Sequence, residues 1–178
     1  MFADNTLTPK EAVRLCALGT LALGPLRYGD LANSIRHFIS RITGPSLDVM
    51  GQSIELLKYE GLVEAMDGDG DAMLAITDAG RAELNTLLSA NLRSAATEIN
   101  KLVVALKFRF LHLLDDPEKV SQAELLIDTT ESELARLDDL RQHHATDQGY
   151  LTNWLDHDID LLEKRLSWLE DFKARMKN

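Results

Sequence analysis

Residues 54–77, IELLKYEGLVEAMDGDGDAMLAIT, decide the fold of this 178-residue chain. The stretch begins with apolar residues at the three- and four-residue spacing of an amphipathic helix, which Gly61 ends. Two short apolar segments, residues 62–66 and 72–77, then flank a Gly/Asp turn at residues 67–71. Such a pair of segments around a turn is typical of a β-hairpin. The stretch therefore predicts a helix followed by a two-stranded hairpin.

The first predicted helix has a well-defined start. Thr8 is a suitable N-cap residue, Pro9 occupies the first helical position, and Glu11 lies three residues after the cap, which is the arrangement of a capping box. The apolar run that follows is hydrophobic nearly all round, so we expect this helix to be buried. The single cysteine, Cys16, lies in that run and excludes an intramolecular disulfide. We interpret it as a buried packing residue.

Two further helices lead to the hairpin. The second follows a connector at residues 25–29 and is amphipathic as far as the break at residues 43–45. The third is capped by Ser46 and stops at Gly61. Three helices and a hairpin in this order are typical of a winged helix-turn-helix domain, which we place at residues 1–80.

Beyond the hairpin, the chain is predicted to be entirely helical. One long linking helix covers residues 78–114, and two helices with near-heptad apolar stripes follow it. These helices have few sequence-distant partners within one chain, and apolar area left in water costs roughly 25 cal/mol per Å². We therefore expect residues 81–178 to form a dimerisation domain of antiparallel, coiled-coil-like helices that produces a homodimer. The expected interface residues are Leu151, Trp154, Leu155, Ile159, Leu162, Leu166, Trp168, Leu169 and Phe172. The fold class is thus mainly α with a small β-hairpin.

Composition limits the classes of function. The 19 basic and 29 acidic residues give a net charge of −10, which argues against nonspecific nucleic-acid binding. Residues 26–58 depart from this balance, because four basic minus three acidic residues leave +1. No apolar run approaches the roughly 18 residues that a membrane helix needs, and the N-terminus has no signal-like segment. We expect a cytoplasmic protein that does not contact the membrane.

No motif indicates catalysis or a bound metal. The sequence contains no nucleophile elbow, phosphate-binding glycine loop or zinc-protease motif. The aspartates of residues 67–71 alternate as at the start of a calcium loop, but Ala72 and Asp78 occupy the positions of its Gly and Glu. The neighbouring His143 and His144 would point to different faces of a helix. We therefore expect no catalytic residue, no metal site and no cofactor.

Several stretches resemble the PadR-like transcriptional regulators, in particular their AphA-like branch of virulence activators. Residues 26–31, LRYGDL, are similar to the tyrosine-glycine step that opens the family's second helix. Residues 54–63 resemble its recognition helix running into the first wing strand, and residues 75–81, AITDAGR, resemble the second wing strand and the next helix cap. Residues 150–172 are similar to the C-terminal dimerisation helices of that branch. The resemblance covers nearly the whole chain.

This resemblance implies a dimer that places the third helix of each subunit in successive major grooves of a pseudo-palindromic operator in double-stranded DNA. The sequence departs from the family at Gly51, where an aromatic residue is common, at Leu56, where a basic residue is common, and at the acidic turn 67–71 of the wing. Glutamine can pair with adenine, and lysine with guanine or phosphate. The candidate DNA contacts are Tyr28, Arg36, His37, Arg41, Ser46, Gln52, Ser53 and Lys58.

Two hypotheses stay open beside this one. The acidic surface and wing are also compatible with a winged helix that has lost DNA binding and binds a protein partner instead. A small molecule or a protein could further act as an effector at the C-terminal helices, by changing the distance between the two recognition helices.

Overall fold

The computed structural model describes residues 5–44, 53–66, 72–93 and 98–176. The fold is mainly helical with one small sheet, as the sequence predicted. The chain divides into two compact units, Met1–Leu114 and Asp115–Asn178. The elements are α1 (Pro9–Ala22), β1 (Leu26–Arg27), α2 (Tyr28–Thr43), α3 (Ser53–Tyr59), β2 (Val63–Ala65), β3 (Met73–Ile76), α4 (Asp78–Leu88), α5 (Glu98–Phe110), a single 3₁₀ turn (Leu111–Leu113), α6 (Asp116–His143) and α7 (Leu151–Met176).

Helix α1 is the central helix of the first unit, and its predicted start is confirmed. The Thr8 hydroxyl accepts a hydrogen bond from the Glu11 amide, and the Glu11 carboxylate accepts one from the Thr8 amide at 2.7 Å. The hydrogen bonds that the Thr8 amide and hydroxyl donate to this carboxylate lower the pKa of Glu11. Cys16 is buried as predicted, and its burial raises the pKa of the thiol to about 11. The other buried apolar residues of α1 are Ala12, Val13, Leu15, Ala17, Leu18 and Leu21.

The sheet has three antiparallel strands in the order β1-β3-β2. The predicted hairpin corresponds to β2 and β3, and β1 is a third strand that was not predicted. Leu26 of β1 pairs with Leu74, and on the other side of β3 Val63 pairs with Ile76. The sequence assigned β1 to a connector because two residues are too few to show alternation. The tip of the hairpin, residues 67–71, lies outside the described residues.

The hairpin is joined to α3 and α4 by a compact set of hydrogen bonds, which we call the wing junction (Gly61, Leu62, Thr77 and Gly80). Gly61 has a φ of +73°, a conformation that favours glycine. Thr77 donates its amide to the Leu62 carbonyl at 3.1 Å and its hydroxyl to the Gly61 carbonyl at 2.7 Å. The same hydroxyl accepts from the Gly80 amide and thereby caps α4. One side chain thus fixes both the end of the hairpin and the start of α4.

The single long helix predicted for residues 78–114 is wrong. Helix α4 ends at Leu88 and α5 begins at Glu98. After Leu88 the chain turns to the N-terminal segment, where the Asn91 amide donates to the Asn5 carbonyl at 2.7 Å. The Leu88 carbonyl accepts a hydrogen bond from the Lys107 ammonium. The helical pattern is interrupted because tertiary partners satisfy the backbone groups at this point.

Helices α6 and α7 form the second unit as an antiparallel hairpin. Arg141 near the end of α6 bonds Asp156 near the start of α7 at 2.7 Å, and Lys173 near the end of α7 bonds Glu124 at 2.7 Å. The hydrogen bond from Arg141 lowers the pKa of Asp156. The apolar residues buried within this unit are Ala123, Leu126, Leu155, Leu162 and Leu169. No helix in the described part of the chain is long and apolar enough to cross a membrane.

Substitution of Gly80 by alanine tests the wing junction. A Cβ at Gly80 would overlap the carbonyl oxygen of Leu62, which is backbone and cannot rotate away. We expect Gly80→Ala to lower the free energy of unfolding by about 3 kcal/mol, as overpacked sites do. Urea denaturation followed by circular dichroism measures the change.

Gly29→Ala is the matched control, since Gly29 also lies in the first turn of a helix but a Cβ there meets nothing within 4 Å. We expect this variant to be more stable by about 0.5 kcal/mol, because alanine reduces the freedom of the unfolded chain. Equal stability of the two variants would contradict the close approach at Gly80.

Lys107 is a fully buried lysine in the core of the first unit, with 0% of its surface exposed. Burial lowers its pKa from the ordinary 10.5 to about 7. At pH values between these two pKa values, the Lys107 side chain is protonated in the unfolded chain and neutral in the folded chain. The free energy of unfolding should therefore rise with pH across this interval, by at most about 1.4 kcal/mol per pH unit.

Lys107→Met should remove this rise, because the variant has no proton to release at that position. Lys101→Met, an exposed position on the same helix, should leave it unchanged. Urea denaturation between pH 6 and pH 9, taken as the difference between each variant and the parent protein, measures the effect. A Lys107→Met protein that keeps the slope of the parent would contradict the assignment.

Candidate nucleic-acid interface

Helix α2 presents a basic face to solvent. Leu31, Ile35 and Ile39 are buried and fix the rotation of the helix, so the opposite face projects outward. Three of the predicted DNA contacts lie on that exposed face, and Tyr28 is half-buried at the first position of the helix. The exposed three are Arg36, His37 and Arg41.

A cation–π cluster attaches α2 to the rest of the first unit. The Arg109 guanidinium of α5 lies 4.6 Å from the centroid of the Phe38 ring of α2 and 4.8 Å from that of Phe110. The same guanidinium donates to the Cys16 sulfur of α1 at 3.8 Å. Because one side chain contacts three helices, the basic face of α2 is held in a defined position.

Helix α3 is fixed by Ile54 and Leu57, which are each 1% exposed. With 100° per residue, burial of these two side chains directs Glu55, Leu56 and Tyr59 outward. The predicted contacts on this helix are only partly described: Lys58 is exposed, whereas Ser46, Gln52 and the side chain of Ser53 lie outside the described residues. Lys58 lies 3.8 Å from the Glu55 carboxylate.

Two exposed side chains of α3 were not among the predicted contacts. Leu56 is 47% exposed and Tyr59 is 90% exposed, one helical turn apart. We call this pair the apolar face of α3. The signal was available, because a helix that buries Ile54 and Leu57 must expose the residues two and five positions after Ile54.

An ion-pair cluster offsets part of the negative charge beside α3. Arg14 of α1 bonds Glu60, which directly follows α3, at 2.8 Å, and Glu83 of α4 at 3.3 Å. Both acidic side chains would otherwise add negative charge near a helix proposed to approach phosphates. The cluster also links α1 and α4 to the C-terminal end of α3.

The described strands of the wing expose two methionines and the acidic Glu64. Met66 and Met73 are both exposed and face each other across the hairpin, joined by a hydrogen bond from the Met66 amide to the Met73 carbonyl at 2.8 Å. Strands β2 and β3 carry no basic side chain. Arg27 of the neighbouring strand pairs with Met73 and supplies a cation at the edge of the sheet.

The residues predicted for dimerisation separate into two faces of α7. Toward α6 lie the buried Leu155, Leu162 and Leu169 and the half-buried Ile159 and Leu166. The remaining four lie toward solvent or at the border: Leu151, Trp154, Trp168 and Phe172. The structure therefore uses the first group for packing within the hairpin.

The exposed face of α7 carries a regular stripe, which we call the outer stripe (Trp154, Leu161 and Trp168). Its members are 55%, 51% and 48% exposed and are spaced by seven residues. Trp168 stacks on the Phe172 ring with the centroids 5.3 Å apart. Leu161 was missed because the sequence analysis assigned Leu162 to the interface, without knowledge of which face α6 covers.

The histidines predicted to be unrelated to metal binding lie at the end of α6. The rings of His143 and His144 meet edge to face, and His144 Nδ1 lies 2.8 Å from the Asp147 carboxylate. Within the described ranges, no group of three or more His, Cys, Asp or Glu side chains is placed to hold a metal ion.

These features are those of a transcriptional regulator with a helix-turn-helix domain and a helical C-terminal hairpin. The sequence matches the family model described as a putative AphA-like transcriptional regulator over residues 2–173. The chain therefore belongs to the AphA-like family of transcriptional regulators, and the resemblance found in the sequence is confirmed. A search of curated proteins finds no match.

Solved structures with a similar chain include three of Bacillus subtilis PadR. The complex with p-coumaric acid has 17% identity and a TM-score of 0.39, and the comparison covers 97% of this chain and 99% of that chain. PadR alone has 17% identity and a TM-score of 0.38 with the same coverage. The complex with operator DNA has 18% identity and a TM-score of 0.37, covering 92% of this chain and 98% of that chain.

Proposed function

We propose that the chain acts as a homodimer that binds a pseudo-palindromic operator in double-stranded DNA with α3 of each subunit. The observation that carries the proposal is the match to a family of transcriptional regulators over residues 2–173. The exposure of α3 above a buried Ile54 and Leu57 supports it, because a recognition helix must project from the core to enter the major groove. Residues 1–80 are the proposed DNA-binding domain.

Phosphate contacts are proposed for the exposed cations of the first unit. Arg36, His37 and Arg41 of α2 and Lys58 of α3 are all exposed, in a chain whose net charge is −10. Such contacts fix the position of a protein on the duplex and make binding dependent on salt. The two ion pairs of Arg14 support this arrangement, since they offset part of the acidic charge beside α3.

Dimerisation is proposed to occur through the outer stripe of α7. An antiparallel pair of α7 helices centred on Leu161 would place Leu161 against its own copy and Trp154 against the partner subunit's Trp168. The intervening heptad positions then bring Leu151 level with the partner subunit's Phe172. Each apolar side chain of the stripe would thereby meet an apolar side chain.

Charge complementarity favours the antiparallel orientation. In the same register, Asp158 lies beside the partner subunit's Arg165, on the same flank of the helix pair. Residues 151–163 carry four acidic and no basic residues, whereas residues 164–176 carry four basic and two acidic residues. A parallel pair would place like charges opposite each other, which is destabilising.

An effector that bound α6 and α7 would act on this pairing. It would thereby change the distance between the two α3 helices, which must be about 34 Å to fit successive major grooves.

Reversal of two cations tests the proposed DNA contacts. Arg41→Glu combined with Lys58→Glu should abolish binding to a genomic fragment that the purified protein recovers at moderate salt. At lower salt, where residual binding can be measured, loss of two phosphate contacts in each subunit should also reduce the slope of log affinity against log salt by about 3 to 4. Electrophoretic mobility shifts over a salt series measure both quantities.

Lys101→Glu combined with Arg136→Glu is the matched control, because it makes the same change of charge at exposed residues of α5 and α6. It should leave most of the affinity intact.

The competing function is a winged helix that binds a basic protein partner through its negative surface, and the lack of basic residues in β2 and β3 favours it. Failure to recover any genomic fragment would support that function and contradict ours.

A charge exchange tests the proposed dimer. Asp158→Arg alone and Arg165→Asp alone each place like charges together at two symmetric sites, so both should weaken the dimer by at least tenfold. The double variant restores opposite charges and should recover the affinity of the parent protein. Sedimentation equilibrium measures the dissociation constant of each protein.

Leu161→Glu should give a monomer, because two carboxylates would meet at the centre of the interface. Ser167→Glu, at an exposed position off the stripe, is the matched control because it adds the same charge. Unchanged dimer affinity in the Asp158→Arg, Arg165→Asp and Leu161→Glu variants would show that another surface joins the subunits.

A further inference from the structure

The outward surface of the described part of α3 combines polar and apolar side chains. Glu55, Lys58 and Tyr59 carry hydrogen-bonding groups, and the Lys58 ammonium lies 3.8 Å from the Glu55 carboxylate, which offsets its charge. Leu56 has no hydrogen-bonding group. Leu56 nevertheless exposes 47% of its surface on the side of the helix opposite Ile54 and Leu57. An exposed leucine at the centre of a recognition surface gains free energy only by contact with another apolar group.

The major groove offers one such group. Among the base edges, only thymine presents a methyl group there, whereas the other edges are distinguished by donors and acceptors. We propose that Leu56 selects thymine in each half-site by contact with this C5 methyl group. The inference rests on the proposed function, since it requires that α3 enters DNA, and it adds the chemical basis of the sequence preference.

Tyr59 completes the contact surface. Its ring lies one helical turn beyond Leu56 on the same face and is 90% exposed. The two side chains together form an apolar surface that would exclude water from the methyl group, which strengthens the contact. Glu60, the next residue, is paired with the Arg14 guanidinium at 2.8 Å, which offsets its negative charge beside this surface.

Replacement of thymine by uracil tests the proposal without any change in the protein. The full-length chain is first used to enrich duplexes from a randomised double-stranded library, and the enriched duplex is then synthesised with uracil at one thymine at a time. Loss of the contacted methyl should weaken binding about fourfold in one half-site and about fifteenfold in both. Uracil at thymines outside the contact should have no effect.

Leu56→Ala supplies the second arm of the experiment. This variant should bind the thymine and uracil duplexes with equal affinity, because the side chain that contacts the methyl group is gone. Leu23→Ala, the same substitution at an exposed leucine next to α1, should keep the preference of the parent protein. Leu56→Arg should shift the enriched base at the contacted position toward guanine.

The outcomes separate this inference from the proposed function. Enrichment of a sequence with equal affinity for its thymine and uracil forms would overturn the role of Leu56 and leave DNA binding intact. The same conclusion follows if Leu56→Ala still prefers thymine at the same position. Failure to enrich any sequence would overturn both proposals.

Discussion

The wing junction is the constraint on which the first unit depends. Thr77 joins the hairpin to α3 through the carbonyls of Gly61 and Leu62, and it caps α4 through the amide of Gly80. These bonds leave no room for a side chain at Gly80. The end of α3, the pairing of the wing strands and the direction of α4 are consequently set by one threonine and two glycines. A recognition helix needs such an attachment, because its exposed half makes no contacts that could orient it.

The sequence predicted best those features that depend on neighbours along the chain. The start of α1 is an example, since the bonds between Thr8 and Glu11 span three residues and leave a recognisable pattern. The gap between α4 and α5 could not be predicted in this way. Apolar residues continue in helical phase on both sides of it, and the groups that end α4 come from Asn5 and Lys107, which are distant in sequence.

The candidate sites also show this difference between features that are set locally and features that are set by tertiary packing. Charged residues of α2 were found because an amphipathic helix exposes its polar side, and Arg41 is exposed as expected. The apolar residues of the sites were harder to assign, since an apolar side chain is interpreted first as core. Leu56 and Leu161 were passed over for this reason, and Leu155 was assigned to a dimer interface although α6 covers it. Only the structure identifies which apolar face of a helix is left uncovered.

An acidic regulator of this kind relies less on general attraction to the phosphate backbone than a basic one does. Neutralising clusters such as Arg14 with Glu60 and Glu83 reduce repulsion locally while the chain as a whole stays negative. Because nonspecific binding to the phosphate backbone is weak, discrimination between DNA sequences depends more on the side chains that contact the bases.

The chemistry of Leu56 has a consequence for how such discrimination responds to modified DNA. A leucine side chain senses the presence of a methyl group but not the base that carries it. Cytosine methylated at C5 presents that group at the same edge of the pair as thymine does. A regulator whose selectivity depended on this contact would therefore accept a methylated cytosine where it rejects the unmodified base, and its occupancy of a promoter would follow the epigenetic state of the chromosome.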